Sequence, residues 1–110
     1  MGRYITTTGT SGAVITEQSS AYNAKVNDRI LCDSSSAAFT ITLPANASLV
    51  KGDTIQIVDV TGSFGSNNVT LARNGSKIQN LTEDLTLNIN NATVTIMYSG
   101  ANYGWVLIGS

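Results

Sequence analysis

Histidine is absent from this sequence, and cysteine and proline each occur once. Without histidine, the chain cannot form a Ser-His-Asp triad or the usual histidine-containing zinc sites. The single cysteine, Cys32, cannot form a disulfide within the chain, and as a nucleophile it would lack a histidine base. We therefore interpret Cys32 as a small buried apolar residue, and we expect no enzymatic activity and no cofactor.

Charged residues are also scarce, because they make up only 12% of the chain, about half the usual share. The net charge of −1 argues against a nucleic-acid partner, since nucleic-acid-binding proteins need a basic surface. No apolar run approaches the roughly 20 residues that a membrane-spanning helix requires. Residues 1–5 also lack the apolar core of a signal peptide. We expect a protein that binds neither nucleic acid nor membrane.

Carboxylates occur mainly beside predicted turns. A glycosidase requires two carboxylates at a defined separation across a cleft, and no pair in this sequence stands out for that role. Calcium-binding loops carry a D-x-D-x-D spacing that is missing here, which leaves calcium as a less favoured alternative. We therefore predict no metal site, and we expect Asp28, Asp33 and Asp53 to cap turns with their side chains.

Apolar and polar residues alternate over many short segments, as in half-buried strands. The clearest example lies in residues 50–78, where Ile55 and Ile57 alternate with polar neighbours. We predict an all-β fold: an antiparallel β-sandwich, jelly-roll-like, with about nine or ten short strands. A β-helix is the alternative, but no fixed period of about 20 residues repeats.

The length predicts one domain, which we place at residues 13–110, after an extended N-terminal arm at residues 1–12. Thr and Gly dominate the arm, and Tyr4 and Ile5 form its one pair of adjacent bulky apolar residues. A frayed terminus is the alternative, but it would leave both of these side chains without a contact. We therefore predict that the arm binds a neighbouring chain through Tyr4, Ile5, Thr6 and Thr7.

Aromatic residues in two regions have two interpretations. Phe64 lies in a loop of small and polar residues, and Tyr103 and Trp105 lie near the C-terminus with Tyr98. In the favoured interpretation, Phe64 and Trp105 pack in the core and Tyr103 lies at the rim of a hairpin. In the alternative, Phe64, Tyr103 and Trp105 contact a glycan or a protein partner.

The run GDTIQIVDVTGSFGSNNVTLARNGSKI, residues 52–78, resembles a module of bacteriophage virion proteins, most of them tail-fibre or structural proteins. The similarity includes FTITLP at residues 39–44, VTI at 94–96 and YGW at 103–105, and so covers most of the chain. It implies a location at the surface of the phage particle. It brings no catalytic residues, because the family is defined by its pattern and not by an active site.

Three roles follow. The favoured role is a capsid decoration, or cement, protein that binds the major capsid protein or other virion proteins and stabilises the head shell. The chain supports this role because it begins at Met1 and ends in strand residues, as a complete small gene product would. A tail-fibre, baseplate or head-fibre module is the alternative, since the resembling modules mostly belong to tail fibres. A glycan-binding module for host attachment is the third role.

The predicted assembly is a homotrimer. The resemblance implies threefold assemblies, which is an argument from analogy. An independent reason is that two predicted strands, at residues 85–89 and 93–98, carry no charge that would protect a sheet edge. Such strands are either central in a sheet or covered by another subunit. A closed ring of three copies would cover exposed edges.

Overall fold

The computed structural model describes residues 13–109, and the predicted arm lies outside them. The described chain forms nine strands and one short 3-10 turn, Asn46–Ser48. The all-β prediction and its strand count are therefore confirmed. The strands are β1 Val14–Gln18, β2 Tyr22–Asn23, β3 Asp28–Cys32, β4 Phe39–Thr42, β5 Thr54–Asp59, β6 Val69–Ala72, β7 Leu85–Leu87, β8 Thr93–Tyr98 and β9 Trp105–Gly109.

The strands form two sheets. Sheet A has the order β1-β3-β5-β8-β9, and sheet B has the order β2-β4-β6-β7. From β1 to β6 the chain alternates between the sheets, so that each return adds a parallel strand to the sheet that it left. Strands β7, β8 and β9 then close the sheets with antiparallel pairings. The fold is therefore a two-sheet winding with an antiparallel end.

The predicted antiparallel topology is wrong for the first six strands, because both sheets are mixed. Alternation of apolar and polar residues reveals a half-buried strand, but it does not reveal the direction of the neighbouring strand. A repeat would have revealed the winding. However, Val14 pairs with Asp28 whereas Arg29 pairs with Gln56, so successive turns of the winding differ in length. The fixed period that identifies a β-helix is therefore missing.

Side chains from both sheets form one hydrophobic core. Ile30, Ile57 and Ile96 enter it from neighbouring strands of sheet A, and Ile41 and Leu71 enter it from sheet B, all without solvent exposure. Burying such a side chain contributes about 1.5–3 kcal/mol each. Polar residues between them face outward, which is the alternation seen in the sequence.

The uncharged strands predicted at residues 85–89 and 93–98 have different surroundings. Strand β8 is central, between β5 and β9. Strand β7 is an edge, but it is only three residues long, and short edges offer little backbone for pairing with another chain. The argument that uncharged edges require a trimer is therefore weaker than the sequence indicated, and the trimer stays a prediction.

Candidate interaction site

Phe64 packs in the core with no exposed surface. This burial agrees with the favoured interpretation, and it leaves the ring no exposed surface with which to contact a glycan or partner. Asp59 holds the loop in place. Its Oδ1 accepts a hydrogen bond from the N–H of Ser63 at 3.1 Å, and its Oδ2 accepts one from the N–H of Phe64 at 3.1 Å.

The same carboxylate connects two loops at this end of the molecule. Its Oδ2 also accepts the N–H of Asn91 at 2.9 Å, from the turn between β7 and β8. Burial alone would raise the pKa of Asp59, but these backbone N–H groups lower it, and the net pKa lies below the ordinary value. The sequence does not show that the turn containing Asn91, 32 residues away along the chain, converges on this carboxylate.

Trp105 is fully buried, and it lies in edge-to-face contact with Tyr98. The ring centroids are 5.6 Å apart, with an interplanar angle of 65°. Such a contact stabilises the core beyond simple burial. This burial agrees with the core interpretation, because a sugar would need an exposed ring face and Trp105 has none.

Tyr103 differs from the other predicted contact residues, because 56% of its surface is exposed. It lies in the hairpin between β8 and β9 and borders an open cleft of about 230 Å³. Lys51, Ser99 and Asn102 also line this cleft. Lys77 Nζ donates to Asn102 O at 3.1 Å and supports the hairpin. An exposed aromatic ring in a cleft that a lysine and neutral polar residues also line is suited to a polar ligand.

Strand β1 presents the second candidate surface. Val14 is 54% exposed and Ile15 is 68% exposed, although both lie in a regular strand. Strand β1 is an edge of sheet A, and its only strand partner within residues 13–109 is β3. Apolar side chains beside an open strand edge are a typical site for the addition of another strand.

Some backbone groups of β1 point toward its free edge, the side of β1 that no other strand within residues 13–109 covers. Val14 N–H donates to Asn27 O at 2.9 Å, and Gln18 O accepts from Asp33 N–H at 2.9 Å, so these alternate residues of β1 bond toward β3. In a parallel pair, the intervening residues point their backbone groups the other way. The N–H and C=O groups of Ile15 and Glu17 therefore face the free edge.

The opposite edge of sheet A is covered. Trp105 N–H donates to Lys77 O at 2.8 Å, and Trp105 O accepts from Gln79 N–H at 2.7 Å. Gln79 Oε1 then accepts the N–H of Leu107 at 3.0 Å. Residues 77–79 thus occupy the edge of β9 and leave β1 as the open long edge of the described chain. Alternation of apolar and polar residues does not show which strand lies at the edge of a sheet.

Apolar side chains are exposed on β9 as well, despite its covered backbone. Leu107 is 41% exposed and Ile108 is 52% exposed, beside a β-bulge at the pairing with β8. Between the two edges, the outer face of sheet A is mostly polar. Arg29, Gln56 and Thr95 lie in one cross-strand row there, along an open cleft of about 280 Å³.

The carboxylates predicted to cap turns do so. Asp28 Oδ2 accepts Lys25 N–H at 2.8 Å and the Tyr22 hydroxyl at 2.7 Å. Asp53 Oδ2 accepts Val50 N–H at 2.9 Å. Asp33 Oδ1 likewise accepts the backbone N–H of Ser35 at 3.0 Å. No three acidic, histidine or cysteine side chains in the described chain are grouped so that they could hold a metal ion.

Cys32 lies in the core without solvent exposure, as predicted. Burial, together with a smaller effect of the charge of Asp59, raises the pKa of Cys32 to about 12. We expect the thiol of the folded protein to be unreactive toward a thiol-specific reagent at mildly alkaline pH, because the thiolate is the nucleophile. Spectrophotometric titration with such a reagent should detect no thiol in the folded protein and one thiol after denaturation. Rapid labelling of the folded protein would contradict the burial of Cys32.

The predicted arm contacts Tyr4, Ile5, Thr6 and Thr7 lie outside the described residues. Of the predicted contact residues inside them, Tyr103 alone is exposed, and it is distant in sequence from β1. Within residues 13–109, no helix is long and apolar enough to cross a lipid bilayer. No protein-family model and no curated protein matches this sequence.

Proposed function

We propose that this protein is a structural component of a bacteriophage particle. Its preferred role is that of a capsid decoration protein, a homotrimer that binds the major capsid protein or another virion protein at the particle surface and stabilises the head shell. The two sheets would stack as a small sandwich, and the exposed apolar side chains would form contacts repeated over many copies. The resemblance of residues 52–78 to phage virion modules gives this proposal its context.

One observation carries the proposal, namely the exposed apolar surface at the edges of sheet A. Val14 and Ile15 lie at one edge, and Leu107 and Ile108 lie at the other, each more than two-fifths exposed. Large apolar side chains that stay exposed on edge strands are candidates for burial against a partner. In a decoration protein, these contacts are individually small, but they are multiplied by the copy number on the shell.

Particle association tests the proposal. Ile15→Asp should weaken binding of the protein to its particles at least tenfold, because a charge replaces an apolar side chain at the interface. Ile89→Asp is the matched control, since Ile89 is 67% exposed, Ile15 is 68% exposed, and Ile89 lies in the turn between β7 and β8. Co-sedimentation with purified particles measures both, and equal loss in the two variants would contradict a role for the edge.

Imaging of the particle gives the location. Many copies spread over the head would support decoration, whereas a few copies at the tail would support a fibre or baseplate module. Absence of the chain from purified particles would reject both structural roles.

A tail-fibre, baseplate or head-fibre module is the second candidate, and the parallel winding from β1 to β6 favours it. Each turn of the winding adds one strand to each sheet, and such a structure can be extended by stacking further turns on its open end. In this role the open edge of β1 would join a preceding segment of a fibre rather than a shell. Copy number and location on the particle separate the two roles.

A glycan-binding module is the third candidate, and the Tyr103 cleft favours it. The exposed ring could stack on a sugar, while Lys51 and Asn102 could bind its polar groups. Titration with host-surface oligosaccharides, followed by nuclear magnetic resonance, should then shift the signals of these three residues. Tyr103→Ala should abolish those shifts without loss of the fold.

A further inference from the structure

We propose that the free edge of β1 receives residues 4–8 of a second copy of this chain as a parallel, in-register strand. The inference deepens the proposed function and rests on it, because it names the surface through which the copies assemble. It joins the predicted arm to a place in the described fold. Tyr4 and Ile5 would lie beside Val14 and Ile15, and the added strand would become the new edge of sheet A.

The two segments match when they are aligned in the same direction. Residues 4–8 read YITTT, and β1 reads VITEQ. A parallel register that sets Thr6 beside Thr16 also sets Ile5 beside Ile15, so that bulky apolar residues meet at one end and polar residues at the other. Neighbouring side chains on paired strands stabilise a sheet when they match in this way.

An antiparallel arrangement matches less well. If the chain folded back tightly on itself, Thr7 and Thr8 would lie beside Ile15 and Val14. The bulky residue Ile5 would then lie beside the charged residue Glu17, and the exposed apolar pair of β1 would stay without an apolar neighbour. The parallel arrangement also continues the direction of β1, β3 and β5, which are already parallel in sheet A.

A parallel strand beside β1 has to come from another copy. Only five residues, 9–13, separate residues 4–8 from β1. A connection between adjacent parallel strands normally needs a dozen or more residues, because the chain must return to its starting level. In this fold the return from β1 to β3 passes through β2 in the other sheet.

The chemistry of the free edge fits such an addition. Ile15 and Glu17 direct their backbone N–H and C=O groups toward it, and an added strand would satisfy them. The incoming residues 4–8 carry no charge, so no like charge meets Glu17. Each copy would give its arm and receive another through a different surface. Such head-to-tail contacts close into a ring, which three copies complete in the proposed trimer.

Engineered disulfides test the inference. In the double variant Thr6→Cys and Thr16→Cys, the two new cysteines would lie side by side on adjacent strands. Their Cα atoms would be about 4.8 Å apart, within the range that a disulfide spans. Oxidation should give covalent dimers and trimers on a non-reducing gel, which a reductant converts back to monomers. Cys32 can be retained, because it is buried in the core.

Two controls define the result. Neither single variant should form trimers, and the pair Thr8→Cys with Val14→Cys should give no internal disulfide, since that pair reports a chain that folds back on itself. The experiment is run with the full chain in solution and again on particles. The inference would be overturned if the variant with Thr6→Cys and Thr16→Cys gave nothing but monomers both in solution and on particles. It would also be overturned if the variant with Thr8→Cys and Val14→Cys formed an internal disulfide.

A separate measurement distinguishes this inference from the proposed function. Deletion of residues 1–12 should leave the domain folded, weaken its association with particles and convert the trimer to monomers by native mass measurement. If particle association falls but no copies are linked through β1, the arm binds a shell protein, and the inference fails while the proposed function stands. If the full chain is not a component of the particle, the proposed function itself fails.

Discussion

Gly104→Ala is expected to destabilise the fold by more than about 3 kcal/mol, because the new methyl group has no space. A Cβ at this position would lie 2.0 Å from the carbonyl oxygen of Lys77 and 2.7 Å from its backbone nitrogen. Both atoms belong to the segment that covers the edge of β9, so they cannot rotate away as a side chain would. Gly104 also has a φ of +73°, which an alanine adopts only with strain.

Gly75→Ala is the matched control for this prediction. Gly75 has a φ of +95°, but no atom lies within 4 Å of the position that its Cβ would take. The control therefore contains the backbone strain without the collision, and it should lose only about 1 kcal/mol. Chemical denaturation measures both variants. Similar losses of unfolding free energy would show that the contact between Gly104 and Lys77 is not tight.

Asp59→Asn is expected to destabilise the protein by about 2–4 kcal/mol, because buried N–H groups lose charged acceptors. The carboxylate accepts three backbone N–H groups, from Ser63, Phe64 and Asn91. An asparagine of the same shape has one oxygen and one NH₂ group, so in either orientation a donor would face a donor. The loss of stability should appear as a lower denaturant concentration at the unfolding midpoint, while the circular dichroism of the folded variant keeps its β-sheet signal.

The pH dependence of stability provides an independent test of Asp59. The net pKa of Asp59 in the folded protein lies below its ordinary value. Its charge therefore stabilises the fold fully above the unfolded pKa of about 3.9, and this stabilisation is lost as the pH falls through the lower folded pKa. The wild type should lose stability over that acid range, and Asp59→Asn should lose less there.

Glu83→Gln is the control for the acid measurement, since Glu83 is an exposed acidic residue outside the two loops that Asp59 connects. It should leave both the denaturation midpoint and its acid dependence close to those of the wild type. Identical acid profiles of the wild type and Asp59→Asn would contradict the assigned role of this carboxylate.

Several features of the site were predictable because their signals are local. Turn-capping carboxylates such as Asp28 and Asp53 bond to backbone groups only three residues away, so their role depends on nearby chain alone. Phe64 and Trp105 have large apolar side chains, whose burial is strongly favourable, and both lie in the core as the favoured interpretation placed them. Tyr103 is exposed in the hairpin between β8 and β9, where the favoured interpretation placed it.

The sequence by itself determined an all-β fold, most of its strands and most of its core, because apolar alternation is local to each strand and depends on few other residues. Tertiary structure decided which strands are neighbours, and with them the parallel winding, the covered edge of β9 and the open edge of β1. Pairing depends on residues far apart in the chain, joined through turns of unequal length. The exposure of Val14 and Ile15 therefore follows from what lies beside β1 in space, which its own five residues do not encode.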